Sequence, residues 1–203
     1  AGHEGPTREA SFGLRIRLPF ETTANDVIEG DPKLINFRYF FTRKLMFVSH
    51  SDAIAVFPGG FGTQDELFES LTLMQTGKSQ IVPVVLVEGE GGNYWQQWQK
   101  GLTDNLLEKG WISPEDPALY HIAPDVNAAV EHVLKFYSRF HSSRYVGDRF
   151  VMRLLEKISK EQVSLLEKEF GDLIAKGGIE QSGPLKSEHT HLELPRLHFH
   201  FVR

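Results

Sequence analysis

The sequence predicts an α/β protein: a parallel β-sheet with helices on both faces, followed by a small C-terminal α+β appendage. Three observations point there. Short apolar runs, Ser51 to Phe57 and Ile81 to Val87, have the length and β-branched content of buried parallel strands. Between them, Thr63 to Thr76 places Leu67, Phe68, Leu71 and Met74 at helical spacing, so strand and helix alternate as in βαβ units. Beyond His141 that alternation stops and strand-like runs gather around one helix, which sets the expected division into residues 1–143 and 144–203.

Taken in order, residues 11–17 read as a strand, and Pro19 to Asn25 with Asp31 and Pro32 as irregular chain. Phe37, Phe40, Phe41, Leu45 and Val48 give residues 34–50 a helical period. A strand at 53–57, a helix at 63–76 and a strand at 81–87 follow. Pro83 lacks an N–H, so within the last of these it belongs near the strand's start. A helix is expected at 93–108, a short strand at 119–122 and a helix at 125–140. In the appendage, Arg149 to Leu154 reads as a strand. Ser159 is placed to cap a helix running to about residue 175 and stopping at Gly177-Gly178. Ile179 to Lys186 and Leu194 to Phe201 read as two further strands.

Composition narrows the function classes. A chain of 203 residues, 40% hydrophobic and 24% charged, can bury a substantial core and is ordinarily globular. The net charge of −5 argues against a nucleic-acid surface as the main business. No apolar run approaches the roughly 20 residues of a membrane span, and no secretory signal opens the chain, so the cytoplasm is the expected compartment. Without cysteine there is no disulfide, thiolate catalysis or Cys-ligated zinc.

Chemistry concentrates at Pro58-Gly59-Gly60-Phe61-Gly62-Thr63-Gln64-Asp65-Glu66, between a strand and a helix. Gly59, Gly60 and Gly62 let the backbone turn sharply and approach a ligand closely. Free N–H groups and the positive end of the helix dipole then converge, as a phosphate requires. Thr63 can cap the helix and touch the phosphate together. Glu66, expected in the first helical turn, sets a carboxylate beside the anion, although the dipole alone also favours an acid there. A phosphate cradle with an adjacent acid suggests chemistry on a phosphorylated sugar.

Together with Arg43-Lys44 and Ser51-Asp52-Ala53, the Pro58–Glu66 stretch resembles the signature of the LOG (Lonely guy) family, whose members carry an older lysine decarboxylase label. Leu18 to Glu21, Phe37 to Lys44, Leu67 to Gly77 and Tyr94-Trp95 extend the likeness over roughly residues 10 to 140. The resemblance implies a Rossmann-like fold and cleavage of the N-glycosidic bond of AMP or a cytokinin ribotide, without a cofactor or metal. It implies Arg43 and Glu66 as the catalytic pair, with the phosphate on Gly59, Gly60, Gly62 and Thr63. It also implies further N-terminal strands and a glycine-rich loop that have no counterpart in this sequence, so a sheet short of those strands is expected.

N-glycoside cleavage passes through an oxocarbenium-like sugar. A carboxylate can stabilise that cation, orient the ribose hydroxyls or activate water, and the sequence leaves all three open for Glu66. The planar guanidinium of Arg43 suits phosphate or a departing purine nitrogen. The alternative function is a non-catalytic nucleotide or molybdenum-cofactor carrier on the same scaffold. A decarboxylase would need a Schiff-base lysine, and neither Lys44 nor Lys78 lies in a recognisable pyridoxal phosphate context.

Other residues carry weaker signals. Arg38 and Lys44 read as a second phosphate contact or plain surface, and Asp65 and Glu69 as a solvated helix face. Asp52 reads as a group at the strand entrance. His189 with His191, and His198 with His200, share a face of possible strands and read as solvated histidines before metal ligands. Phe37, Tyr39, Phe40 and Phe41 suggest core or a subunit interface, hence a homodimer or higher homo-oligomer.

Overall fold

The computed structural model describes residues 11–18 and 28–202. The irregular segment expected at 19–25 and most of the likeness at Leu18 to Glu21 lie outside the described residues. Strand β1 (Gly13–Ile16) pairs in parallel with β2 (Leu34–Phe37), Gly13 opposite Leu34 and Ile16 opposite Phe37. Helix α1 (Phe40–Ser49) follows. The single helix expected at 34–50 is therefore a strand and a shorter helix. The apolar period holds only from Phe40, while Leu34 to Phe37 finds a strand partner that a local pattern cannot reveal.

A second parallel sheet has the order β3 (Ile54–Val56), β4 (Val84–Val87), β5 (His121–Ala123). Helix α2 (Phe61–Gln75) joins β3 to β4, and α3 (Tyr94–Leu102) leads from β4 towards β5. Pro83 precedes β4 and still serves the sheet through its carbonyl, which accepts from the Ile54 N–H at 2.9 Å. The side-chain alternation of β4 sorts the layers. Val84 and Leu86 pack with Leu67, Met74 and Trp95 on one side, while Val85 and Val87 pack with Ala123 and Ala129 on the other. Ala129 belongs to α4 (Val126–Tyr137), whose first turn is capped by the Asp125 carboxylate accepting from Ala128 N–H at 2.9 Å.

Several boundaries differ from expectation. Regular α-helix in the 93–108 segment ends at Leu102 and continues as a π-helical turn, Thr103–Leu107. A 3₁₀ turn occupies Asp116–Leu119, so β5 starts at His121. Helix α4 stops at Tyr137, and Phe140–Val146 forms β6, a strand that runs through position 143/144.

Strands β6, β7 (Arg149–Leu154), β9 (Arg196–Phe201) and β8 (Ile174–Ser182) form an antiparallel sheet in that order. Helix α5 (Lys160–Glu169) begins with a capping box between Ser159 and Gln162. It ends at Glu169 instead of near 175, and Gly177-Gly178 lie inside β8. Gly177, at φ +73, sits where the β8–β9 register shifts, so these glycines mark a bulge and not a helix stop. The sheet also buries an ionic cluster: Glu188 accepts from Arg153 Nη2 at 2.9 Å and from Arg196 Nε at 3.0 Å. None of the helices among the described residues is long and apolar enough to cross a membrane.

Candidate functional site

Chain leaving the carboxyl end of β3 turns through Phe57-Pro58-Gly59-Gly60 and enters α2 at Phe61. The first helical bond runs from Gln64 N–H to the Gly60 carbonyl, 3.1 Å. Ahead of it, the N–H groups of Gly60, Phe61, Gly62 and Thr63 have no place in the helical ladder. The N-cap is Gly60, without a side-chain cap, so Thr63 is the third helical residue and not the cap. A crevice at the carboxyl end of a parallel strand is where open α/β sheets take ligands.

The three glycines serve different needs. A Cβ on Gly59 would collide with Thr63 Oγ1 and Cβ, so Gly59 is required by packing inside the loop. A Cβ on Gly60 or Gly62 would meet nothing within 4 Å, so their bare backbones border open space. The positive end of α2 faces that space unobstructed.

Starting α2 at Phe61 moves Glu66 beyond the first turn, where the dipole effect has faded. Glu66 lies on the same helical face as Gly62 and Thr63, four and three residues earlier, and its side chain leans back towards them. Opposite stands Arg43 of α1, whose Nη2 donates to Glu66 Oε1 in an ion pair; the two side chains are 21% and 22% exposed. The Arg43 guanidinium also lies 5.7 Å from the Phe40 ring centroid. The carboxylate and guanidinium that the sequence singled out are thus brought together beside the loop.

Lys44, adjacent in sequence, takes a different role. It is buried, and its Nζ meets Asp65 Oδ2 at 2.5 Å and Glu69 Oε2 at 2.7 Å. Burial pulls its pKa down, but the hydrogen bonds to Asp65 and Glu69 outweigh that and raise it. Lys44 is therefore not plain surface, and Asp65 and Glu69 are more than a solvated face. Together they clamp α1 to α2. Arg38 lies over the Tyr39 ring, 5.5 Å from its centroid. At the strand entrance, the Asp52 carbonyl accepts from the Tyr137 hydroxyl at 2.5 Å.

Three contributors had no individual role assigned from sequence. Tyr94, at the start of α3, donates its hydroxyl to the Gly59 carbonyl at 2.5 Å and accepts from Gln64 Nε2 at 2.7 Å. Glu88, buried just past β4, accepts from the N–H groups of Trp95 (2.7 Å) and Gln96 (3.2 Å) through Oε1. Among the described residues, Gln64 Oε1 and Glu88 Oε2 are buried acceptors without a hydrogen-bond partner. An acid directly after a buried strand and a few residues before a helix is a legible signal for Glu88; Gln64 and Tyr94 lie in stretches that carry the family likeness, but their mutual hydrogen bond is visible only in the fold.

A cavity of about 880 Å³ lies elsewhere, between α1, α2 and the start of β6, with Leu45, Leu73, Ile81 and Phe140 in its wall. Neither Arg43, Glu66 nor the glycines line it. His198 and His200 share β9 as expected, whereas His189 and His191 are not on a strand. His189 and His191 lie in the loop before β9, and His198 is buried between Arg149 Nη1 (2.6 Å) and Ser182 Oγ (2.9 Å). Among the described residues there is no group of three or more metal-ligating side chains.

Comparison with known proteins agrees with the motif. Residues 7–133 match the family described as "Possible lysine decarboxylase". The cytokinin riboside 5′-monophosphate phosphoribohydrolase LOG1 of Arabidopsis thaliana is 34% identical over 122 residues, 60% of this chain and 54% of the relative. LOG4 of the same plant, bearing the same enzyme name, is 35% identical over 143 residues, 70% of this chain and 62% of the relative. The cytokinin riboside 5′-monophosphate phosphoribohydrolase of Mycobacterium tuberculosis is 38% identical over 73 residues, 36% of each chain. The chain thus spans less than two thirds of the length of these relatives. With the family match covering more than half of the chain, and Arg43, Glu66 and the glycine loop assembled at one helix start, the chain belongs to the lysine decarboxylase-like, or LOG, family.

Proposed function

We propose that the chain carries the active site of an N-glycosidase that hydrolyses a purine nucleoside 5′-monophosphate, AMP or a cytokinin ribotide, to free base and ribose 5-phosphate. The observation that carries this reading is the Arg43–Glu66 ion pair beside the free N–H groups at the start of α2. On a Rossmann-like layer, the amides of Gly60, Phe61, Gly62 and Thr63 take the phosphate, with Gly59 holding the turn. Glu66 then meets the ribose, where its charge favours an oxocarbenium-like centre. The bond from the anomeric carbon to the purine nitrogen breaks, water supplies hydroxide to that carbon, and its proton passes to the base. Arg43 orients the Glu66 carboxylate through their ion pair and supports the negative charge of the phosphate or the departing purine.

The relatives' names support the reaction class, and the double carboxylate pairing of Lys44 counts against the older decarboxylase label. A Schiff-base lysine must lose its proton, and Lys44 is held charged. The test is incubation with AMP and chromatography of the products. Adenine and ribose 5-phosphate are expected, and Glu66→Gln should stop release while leaving AMP bound. Stoichiometric retention of intact nucleotide, with no base released, would support the carrier alternative instead.

The same reading includes a homodimer or higher homo-oligomer. Phe40, Phe41, Leu45 and Phe47 of α1 are exposed, and Phe61, at the loop itself, is 96% exposed. An apolar face of this kind beside a site fits cover by a second copy. Light scattering should give at least twice the 23.1 kDa chain mass; a monomer at tens of micromolar would oppose it.

A further inference from the structure

We propose that Tyr94 is a positioning residue for the anion loop: its hydroxyl sets the orientation of the Gly59–Gly60 peptide and so aims the Gly60 N–H. The inference rests on the reading of this loop as a nucleotide-phosphate site.

A phenol has a single hydrogen. Because Gln64 Nε2 donates to the Tyr94 oxygen at 2.7 Å, that hydrogen is directed to the Gly59 carbonyl, 2.5 Å away. In a trans peptide the C=O and the following N–H point in opposite directions, so fixing the Gly59 carbonyl turns the Gly60 N–H away from Tyr94. That amide belongs to the N-cap of α2, next to the free N–H groups of Phe61 and Gly62. A peptide between two glycines meets little steric resistance to flipping. Flipped, it would offer an arriving phosphate a carbonyl lone pair where a donor is needed. The Tyr94 hydroxyl is the contact that separates the two orientations.

The phenol is itself held from the neighbouring strand. Glu88 Oε1 seats the first turn of α3 through Trp95 and Gln96, and the Trp95 indole N–H donates to the Val87 carbonyl at 3.2 Å. The Tyr94 ring packs edge-on against Trp95 with centroids 4.8 Å apart. The loop orientation is thereby referred to β4 and α3, elements independent of the glycine turn.

The test is equilibrium binding of AMP and of adenosine to a Glu66→Gln reference protein, which leaves AMP intact, and to the same protein carrying Tyr94→Phe, which keeps the ring packing and removes only the hydroxyl. The expected result is about tenfold weaker AMP binding with adenosine binding unchanged, the loss of one oriented donor to a charged group. Gln64→Met, which releases the phenol hydrogen, should weaken AMP binding in the same selective way and serves if Tyr94→Phe fails to fold. Equal affinity of the reference protein and its Tyr94→Phe variant for AMP, or parallel losses for AMP and adenosine, would overturn the positioning role alone. Binding of AMP by the reference protein no tighter than adenosine would overturn it together with the phosphate site. Base release is not the readout, so failure of the hydrolase reading leaves this result intact.

Discussion

Arg43 and Glu66, 23 residues apart in sequence, close on one another across the α1–α2 contact in an ion pair about one-fifth exposed. A pair this accessible contributes under about 1 kcal/mol to folding. On the proposed reading, its place beside four free amides serves the chemistry. Arg43→Lys should therefore lower kcat for base release at least about tenfold, since an ammonium lacks the planar fork, while the melting temperature stays within about 2 °C. Steady-state kinetics with thermal melts check this; a large fall in melting temperature with unchanged kcat would assign the pair to the fold.

Gly59 and Gly60 should respond oppositely to alanine. Gly59→Ala drives a Cβ into Thr63 and is expected to destabilise by about 1–3 kcal/mol in urea unfolding. Gly60→Ala meets open space and should cost less than about 1 kcal/mol, yet weaken AMP binding because the new methyl occupies the anion's approach. Equal stability losses for the two would contradict the geometry.

Lys44→Met removes the cation shared by Asp65 and Glu69. Both acids are substantially exposed and can rehydrate, so the expected loss is about 1–2 kcal/mol by urea denaturation at pH 7. The raised pKa fixes the pH dependence. The stabilisation is complete below the ordinary lysine value of 10.5 and fades as pH climbs through the higher folded value, so wild type and variant should converge only in strong alkali.

Acid should act on the antiparallel sheet. Burial alone would raise the Glu188 carboxyl, but hydrogen bonds from Arg196, the Leu185 amide and Arg153 hold it at about 2, below the ordinary 4.5. Its contribution, of order 3 kcal/mol, is present above pH 4.5 and is lost as pH falls towards 2. Glu188→Gln should be less stable near neutrality and show a flatter acid limb in circular dichroism; identical acid limbs would refute the assignment.

Much of this site was legible because its parts are local. The Pro58–Glu66 stretch carries the turn, the helix start and the acid within nine residues, and α2 reads from its own apolar period. What was hidden depended on partners. Leu34 to Phe37 is a strand because β1 lies beside it, and the glycines of β8 read as a helix stop until β9 supplies the register they interrupt. Lys44 and Tyr94 were unassignable in the same sense. A lysine on a helix and a tyrosine at a helix start acquire roles only when Asp65, Glu69 and Gly59 arrive from other segments.

The aromatic packing around α3 has an optical consequence. Of the three tryptophans, Trp111 is 72% exposed and Trp95 fully buried, while Trp98 bridges Trp95 and Tyr120 at centroid distances of 5.7 and 5.3 Å. Trp95 is buried next to Tyr94 in sequence and Trp98 is half-buried against it, so this pair is expected to emit to the blue of the exposed Trp111. With Trp111→Phe, ultraviolet-excited emission becomes a label-free gauge of the loop, and phosphate arrival should register as a change in intensity without any dye.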